Sequence, residues 1–443
     1  MIAKVCRTMT FYRVALCAIF LLLLFLTQGQ TVNIAPVACV LILGLSAGLA
    51  FLRDTRRLTL PFLLLTLLLI FCYDSFKVFI GYIWVAPFVL AAAVVHILRL
   101  KPRFKKGESF WGLVAVAVAT LLGGIGMIPA GDYFRPAALG YALALGPGLV
   151  LVYLLMKNEM KTAEDEESFM ADIAAWSLTA AVVVFGRYLV ALPAFFESGS
   201  FGEPPQWSNN IATMLMLSFP VLFVYAKRHY LWLLAGFFAA GAAIFSGSNG
   251  GLLFATVELL VCLLYLWLSD KRPIHRLWTR TIFLFCVFFL VAVVYYVFSR
   301  HLLGVGELGS ISKRLALLWR GFENFVENPL FGSGLGYLGN ADLYSGKVGT
   351  INWYHVFIAQ VVGGLGLVGV AAWGYQLFLR ARLALREVRG EGFAPALCYL
   401  GLLLMSQVNP GEFCPVPYAF LAVTYFVFLE NRHEAAEGRV ASA

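Results

Sequence analysis

The sequence predicts an all-α polytopic membrane protein, with about 12–14 transmembrane helices and one structured outer loop carrying an amphipathic helix. Three observations predict it. Of 443 residues, 61% are hydrophobic and 13% charged, against roughly 45–50% apolar and roughly 25% charged in soluble chains. The apolar residues fall in runs of about 20, the length that crosses a hydrocarbon core of roughly 30 Å as helix. No train of short alternating segments is visible, and a membrane β-barrel would need one.

Apolar runs bounded by charge or by Gly, Pro and Asn clusters place candidate spans near 11–28, 31–52, 58–75, 77–98, 108–128, 137–156, 169–196, 211–226, 230–247, 250–269, 281–299, 352–379, 394–408 and 415–430. Lys4, Arg7 and Arg13 precede the first run as in a signal peptide. A second run follows at once and no small-residue cleavage site is clear, so a retained first helix is expected. The net charge of +9 does not point to nucleic acid, because Lys and Arg cluster between apolar runs and form no continuous face. They are topology signals. Alternation of the spans collects Arg53/Arg56/Arg57, Lys101/Arg103/Lys105/Lys106, Lys157/Lys161, Lys227/Arg228, Lys271/Arg272/Arg276/Arg280 and Arg380/Arg382/Arg386/Arg389 on one side. By the positive-inside rule that side is the cytoplasm, and both termini join it. The eight cysteines sit mostly in apolar runs without CxxC spacing, so neither a disulfide framework nor a metal or haem site is implied. No internal repeat is evident.

This organisation divides the chain into a membrane bundle at 1–299, an extracytoplasmic loop at 300–351, three further spans at 352–430 and a cytoplasmic tail at 431–443. The loop is the one outer connection long enough for structure of its own, and chemistry is sought there first. Ile311, Leu315, Leu318, Phe322 and Phe325 recur at helical spacing and predict an amphipathic helix, lying on the outer leaflet or on the bundle. Arg314 falls roughly 60° from the centre of that stripe and Arg320 roughly opposite it. Arg314 can therefore face a cleft, and Arg320 faces water. Asn328-Pro329 ends the helix, since Pro disfavours helical geometry in the residue before it. The Gly-rich turn Phe331–Gly336 follows.

His96, His229, His275 and His433 map to cytoplasmic span ends or the tail, leaving His301 and His355 outside. His301 reads as an interfacial residue at a span end. His355 begins a run of about 28 residues, longer than the core requires, and so is expected near headgroup depth, where a histidine acts as a base near neutral pH. Arg187 interrupts the run Ala180–Gly186 in the outer part of its span. An ionisable residue there is costly unless it faces a cavity or an anionic partner such as phosphate; the alternative is a side chain that snorkels to the headgroups. The outer acids Glu197, Glu203, Glu307, Glu323, Glu327, Asp342 and Glu412 are scattered, with no Asp-x-Asp pair, which disfavours metal-dependent transfer. The glycine turn lacks the Gly-Lys-Ser/Thr ending of a P-loop, which excludes ATP hydrolysis.

The segments Arg314–Trp319, then Glu327–Gly334, then His355 with the run Gln360 to Gly369 together resemble the O-antigen ligase/polymerase superfamily. That family's pattern reads approximately R-hydrophobic-x-x-x-W, then NPLxGxG, then an outer-loop HN entering a span with GxxG. The match covers roughly 310–370. Three departures stand out: Val356 follows the histidine where the family has Asn, Gly364 stands where an acid is common, and Asn249, in the stretch Phe245–Gly251, replaces the arginine of a Ser-Arg-Gly turn. Arg187 is the candidate to supply the missing charge.

The resemblance implies transfer of a glycan from a polyprenyl pyrophosphate to an acceptor hydroxyl, on a glycan or glycolipid, on the outer face of a bacterial cytoplasmic membrane. No metal or cofactor is expected. Such chemistry needs a base for the hydroxyl and positive charge for the leaving pyrophosphate. His355 suits the first role, and Arg314 the second, because guanidinium binds phosphate oxygens in pairs and stays charged. Arg187, Asn249, Arg320 and Tyr354 are the candidate substrate contacts, and Arg187 is expected to meet Arg314 and His355 in one cleft open to the outer leaflet. A ligase-like acceptor is the leading expectation. The alternatives are a polymerase of O-antigen or exopolysaccharide, and, from a different class, a flippase or transporter of lipid-linked glycan. Paired discontinuous helices would favour transport, and the sequence lacks that symmetry.

Overall fold

The protein, a computed structural model, is described over residues 10–27, 31–70, 82–101, 104–125, 128, 134, 136–198, 208–270, 272–302, 308–335, 354–409 and 411–441. Lys77, Arg135, Glu203, Glu307, Asp342 and Lys347, and the side chains of Arg300, His301, Ile311 and Lys313, lie outside the described residues. The helices in chain order are α1 (Phe11–Thr27), α2 (Thr31–Phe51), α3 (Thr59–Ile70), α4 (Ala86–Leu100), α5 (Glu108–Leu122), α6 (Pro136–Leu143), α7 (Leu149–Glu159), α8 (Ala163–Ser198), α9 (Ser208–Met216), α10 (Phe219–Ala226), α11 (Leu231–Ile244), α12 (Asn249–Ser269), α13 (Pro273–Leu302), α14 (Leu308–Glu327), α15 (Phe357–Glu387), α16 (Phe393–Met405) and α17 (Phe420–Ala441). No strand occurs among the described residues.

The chain is an all-α, multi-pass membrane protein. Among the described residues, seven helices are long and apolar enough to cross a bilayer, and several shorter apolar helices accompany them. Each of the expected apolar runs carries helix, but several are broken where the sequence reading had one span. The run 137–156 is interrupted by the π-turn Ala144–Gly148, which contains Pro147. The run 211–226 is split between α9 and α10, where Pro220 stands at the first turn of the second helix and needs no amide partner.

Two compact units are present, Met1–Phe104 with Asn158–Arg280, and Lys105–Lys157 with Thr281–Ala443. Their boundaries fall at 104/105, 157/158 and 280/281. In the first unit, Asp165 and Thr162 form a reciprocal cap at the start of α8: the Asp165 carboxylate accepts from the Thr162 amide at 2.9 Å, and the Asp165 amide donates to the Thr162 hydroxyl at 3.2 Å. One turn on, Arg13 of α1 reaches the buried Asp172 at 2.7 Å and the Ser168 hydroxyl at 2.9 Å. That pair ties the expected first helix to α8.

In the second unit α15 is not a straight span. Gly366 lies at φ +63° inside it, a left-handed conformation that costs glycine little. The ring of Phe357 packs 5.4 Å from that of Trp373, and Phe413 closes the triangle at 5.6 and 4.9 Å. In a continuous helix, residues 357 and 373 would stand about 24 Å apart along the axis. The arm before Gly366 therefore folds back beside the arm after it. His355, ahead of Phe357, does not open one straight span of about 28 residues as expected; it opens a short arm that turns back against the longer one.

The break frees backbone groups, and the Asn328–Gly334 turn takes them up. Leu367 donates to the Pro329 carbonyl at 2.8 Å and Val368 to that of Leu330 at 3.1 Å, while Ser333 and Gly334 donate to Gly363 and Gly364 at 2.8 and 2.9 Å. Irregular backbone in a membrane protein persists where such partners satisfy it. Beside the turn, α14 lies on the first arm of α15 at glycine distance: a Cβ on Gly363 would meet the Gly321 Cα at 2.8 Å, and one on Gly321 would meet the Ala359 Cβ at 2.9 Å. Gly363→Ala is expected to destabilise the protein by about 1–3 kcal/mol, the usual cost of forcing packed elements apart. Thermal unfolding in detergent checks it, and an unchanged midpoint would show that α14 can move away freely.

One sidedness expectation is corrected. Arg380, assigned to the cytoplasm, and Glu412, assigned outside, form one buried ion pair, joined by the Tyr399 hydroxyl, which is 2.9 Å from Arg380 and 3.0 Å from the Glu412 carboxylate. Groups in contact cannot face opposite sides of a bilayer. The segment expected as a tail is helical: α17 continues into it, and Arg432 and His433 reach Glu391 and Glu387, each at 2.9 Å.

Candidate active site

His355 stands at φ +52°, one of two non-glycine residues described with positive φ. Histidine, like Asn and Asp, visits this region more readily than most side chains, yet the conformation carries strain that persists only where the surroundings impose it. They do so on both sides. Ahead of it, the Tyr354 amide donates to the Gln360 side-chain oxygen at 3.1 Å. Behind it, the Phe357 amide donates to the Ser406 carbonyl at 2.9 Å, and Val356, extended at φ −137°, accepts the Gln360 amide at 2.9 Å as α15 begins.

Arg314 comes from α14 and is partly buried. Burial pushes its pKa below the ordinary guanidinium value, and no carboxylate among the described residues offsets that. Its charge acts on His355: burial first, and Arg314 second, lower the imidazole from 6.5 to about 4. At neutral pH His355 is thus an uncharged acceptor beside a cation. That pairing suits a base next to an anionic leaving group, because the same cation that lowers the imidazole pKa attracts phosphate oxygens.

The other expected site residues divide. Tyr354 is buried, with its hydroxyl accepting from the Asn324 amide of α14, so it holds the His355 turn and offers a ligand little surface. Arg320 shares α14 with Arg314 and meets Glu323 at 3.2 Å; it is partly buried like Arg314 and flanks the buried face on the other side, not opposite it as expected. Arg187 and Asn249 belong to the first unit. There Arg187 is partly buried in α8, Asn249 is the exposed first residue of α12, and Tyr188, next to Arg187, donates its hydroxyl to the Phe245 carbonyl of the turn leading to Asn249. That contact brings α8 to the turn where the expected arginine is replaced. The Ser248 hydroxyl caps α12, accepting from Gly251 at 2.9 Å.

The remaining described histidines have visible structural duties. His96 is buried, with Nδ1 2.9 Å from the Leu49 carbonyl; His229 accepts from Leu231 at 3.2 Å; His275 lies 3.6 Å from Asp270; and His433 sits between Glu387 and Glu437. Asn324, Gln360 and Ser406, the groups that fix the His355 turn, were not foreseen as supports. Glu258 was also missed: it is buried in α12, and neither carboxylate oxygen has a hydrogen-bond partner among the described residues. A lone acid in an apolar run is a legible signal of function by itself. Among the described residues, no three His, Cys, Asp or Glu side chains converge as metal ligands. No protein-family model matches the chain, and no curated protein matches it.

Proposed function

We propose that the chain is a metal-independent membrane glycosyltransferase, ligase-like, acting at the outer face of a bacterial cytoplasmic membrane. Its donor is a glycan on a polyprenyl pyrophosphate and its acceptor a hydroxyl of a glycan or glycolipid. The acceptor O–H gives its proton to the His355 imidazole as its oxygen bonds to the anomeric carbon. The bond from that carbon to the phosphate oxygen breaks, and the carrier leaves as pyrophosphate with its new charge facing Arg314. The observation that carries this reading is a partly buried Arg314, without a carboxylate partner among the described residues, whose field acts on a histidine held at positive φ.

Purified protein in proteoliposomes, given a lipid-linked glycan and a hydroxyl acceptor, tests it directly. The expected result is glycan transfer that continues in EDTA. Comparing a lipid A-core acceptor with a growing glycan separates a ligase from a polymerase. Activity lost in EDTA and restored by a divalent ion would refute the metal-free mechanism, and movement of intact donor across the bilayer without transfer would establish a transporter instead.

A further inference from the structure

Helix α14 is apolar on two faces. Leu317, Gly321 and Asn324 are buried, and Gly321 packs on the first arm of α15. Leu315, Trp319, Phe322 and Val326 are between 45% and 77% exposed. At about 100° per residue the centres of these two sets lie about 160° apart, so the packing on α15 leaves the second set uncovered. The four side chains follow i, i+4, i+7, i+11 spacing and make a stripe about 16 Å long. Leu330, 57% exposed just past the helix end, extends it. The acids Glu323 and Glu327 fall on the remaining arc, away from the stripe. Arg314 lies on the arc between the buried and the exposed face, at the N-terminal end of both.

An exposed apolar stripe of this size has a definite meaning in a multi-pass membrane protein, where the surrounding medium is lipid. Arg314, next to Leu315 at the N-terminal end of the stripe and about 110° round the helix from its centre, narrows the occupant. An anionic headgroup at Arg314 joined to a long apolar chain along Leu315, Trp319, Phe322 and Val326 is the amphiphile that matches both. We infer that the outward stripe of α14 is the docking track for the hydrocarbon chain of the lipid-linked donor, with the pyrophosphate at Arg314. The inference rests on the lipid pyrophosphate donor proposed above and adds where its chain lies.

Photo-crosslinking reads the track without any turnover. A polyprenyl pyrophosphate bearing a diazirine in its chain, mixed with the full-length protein in phosphatidylethanolamine and phosphatidylglycerol vesicles, is expected to label the Leu315–Val326 segment. Excess unlabelled polyprenyl pyrophosphate should suppress that label. A diazirine phosphatidylglycerol that labels the segment equally, without competition, would mean that bulk lipid covers the stripe and would overturn the track; absence of any label there would do the same. Kinetics add a second arm. Trp319→Gln with Phe322→Ser, both at exposed positions, should raise the donor KM about ten-fold at unchanged kcat, because chain contacts are alike in ground and transition states. A donor with a chain too short to reach Trp319 should be unaffected, whereas equal loss for short and long donors would overturn the track. Competed labelling in a protein that transfers no glycan would keep the lipid track and discard the transferase reading, so the two fail separately.

Discussion

Replacing His355 by Asn is expected to cut glycan transfer by about 100-fold or more, since removing a general base costs roughly 10²–10⁴-fold. Asn is the informative replacement because it tolerates the left-handed backbone that His355 occupies. His355→Ala should lose as much activity but also some stability, on the order of 1 kcal/mol, because Ala pays for that conformation. Thermal midpoints of the two variants separate loss of chemistry from loss of fold. Near-normal transfer by His355→Asn would remove the proposed base and leave Arg314 as a charge stabiliser with another proton acceptor to be found.

The same residue sets an expected pH dependence. With its pKa lowered to about 4, His355 is neutral across the physiological range, so kcat/KM should hold down to about pH 5 and fall below it. In the proposed mechanism donor binding would place pyrophosphate charge against Arg314 and remove part of the field that lowers the imidazole, so the acid limb of kcat should lie at higher pH than that of kcat/KM. The sign for stability follows from linkage. Between 6.5 and about 4 the unfolded chain takes up the proton and the folded chain does not, so this contribution is complete above 6.5 and is lost as pH falls through that window. An acid limb of kcat/KM near 6.5 would show that burial and Arg314 do not act on the proposed base.

Local features were legible in the sequence, and remote pairings were not. The α14 helix and its stop at Asn328-Pro329 follow from a helical period and a proline, and both depend on near neighbours. Whether its apolar stripe meets lipid or the bundle is not legible: the face that packs on α15 lies roughly 110° round the wheel from it, because Gly321 adds nothing to an apolar stripe and yet is what allows α15 to approach. The run from Gln360 to Gly369 reads as part of one span, since its length and hydropathy suffice. What breaks it is tertiary: carbonyls from Pro329 and Leu330, and the ring of Phe413, reward a bend at Gly366 that no local signal demands. Arg380 looked like a loop cation for a similar reason. The acid that neutralises it is Glu412, a distant residue, and pairing at that separation leaves no trace in composition.

Arg314→Ala carries the second large effect, a fall in kcat of about 10²–10³-fold, the usual consequence of removing one group aimed at developing charge. The argument turns on burial. A guanidinium that is partly buried without an acid beside it among the described residues is held at a cost, and an anion arriving at the site relieves that cost. Because the leaving pyrophosphate gains charge as the glycosidic bond breaks, relief is greater in the transition state than with donor merely bound, so kcat falls along with kcat/KM. Arg314→Lys should recover only part, since an ammonium keeps the charge and loses the paired geometry. Removing Arg314 also lifts one of the two causes that lower His355, so the acid limb of the residual activity should move to higher pH than in the unaltered protein. The double variant Arg314→Ala with His355→Asn should be little slower than His355→Asn alone, as expected of groups that act on one step. Fully additive losses, with an unmoved acid limb, would show that the two residues serve different steps and that the cation does not face the leaving group.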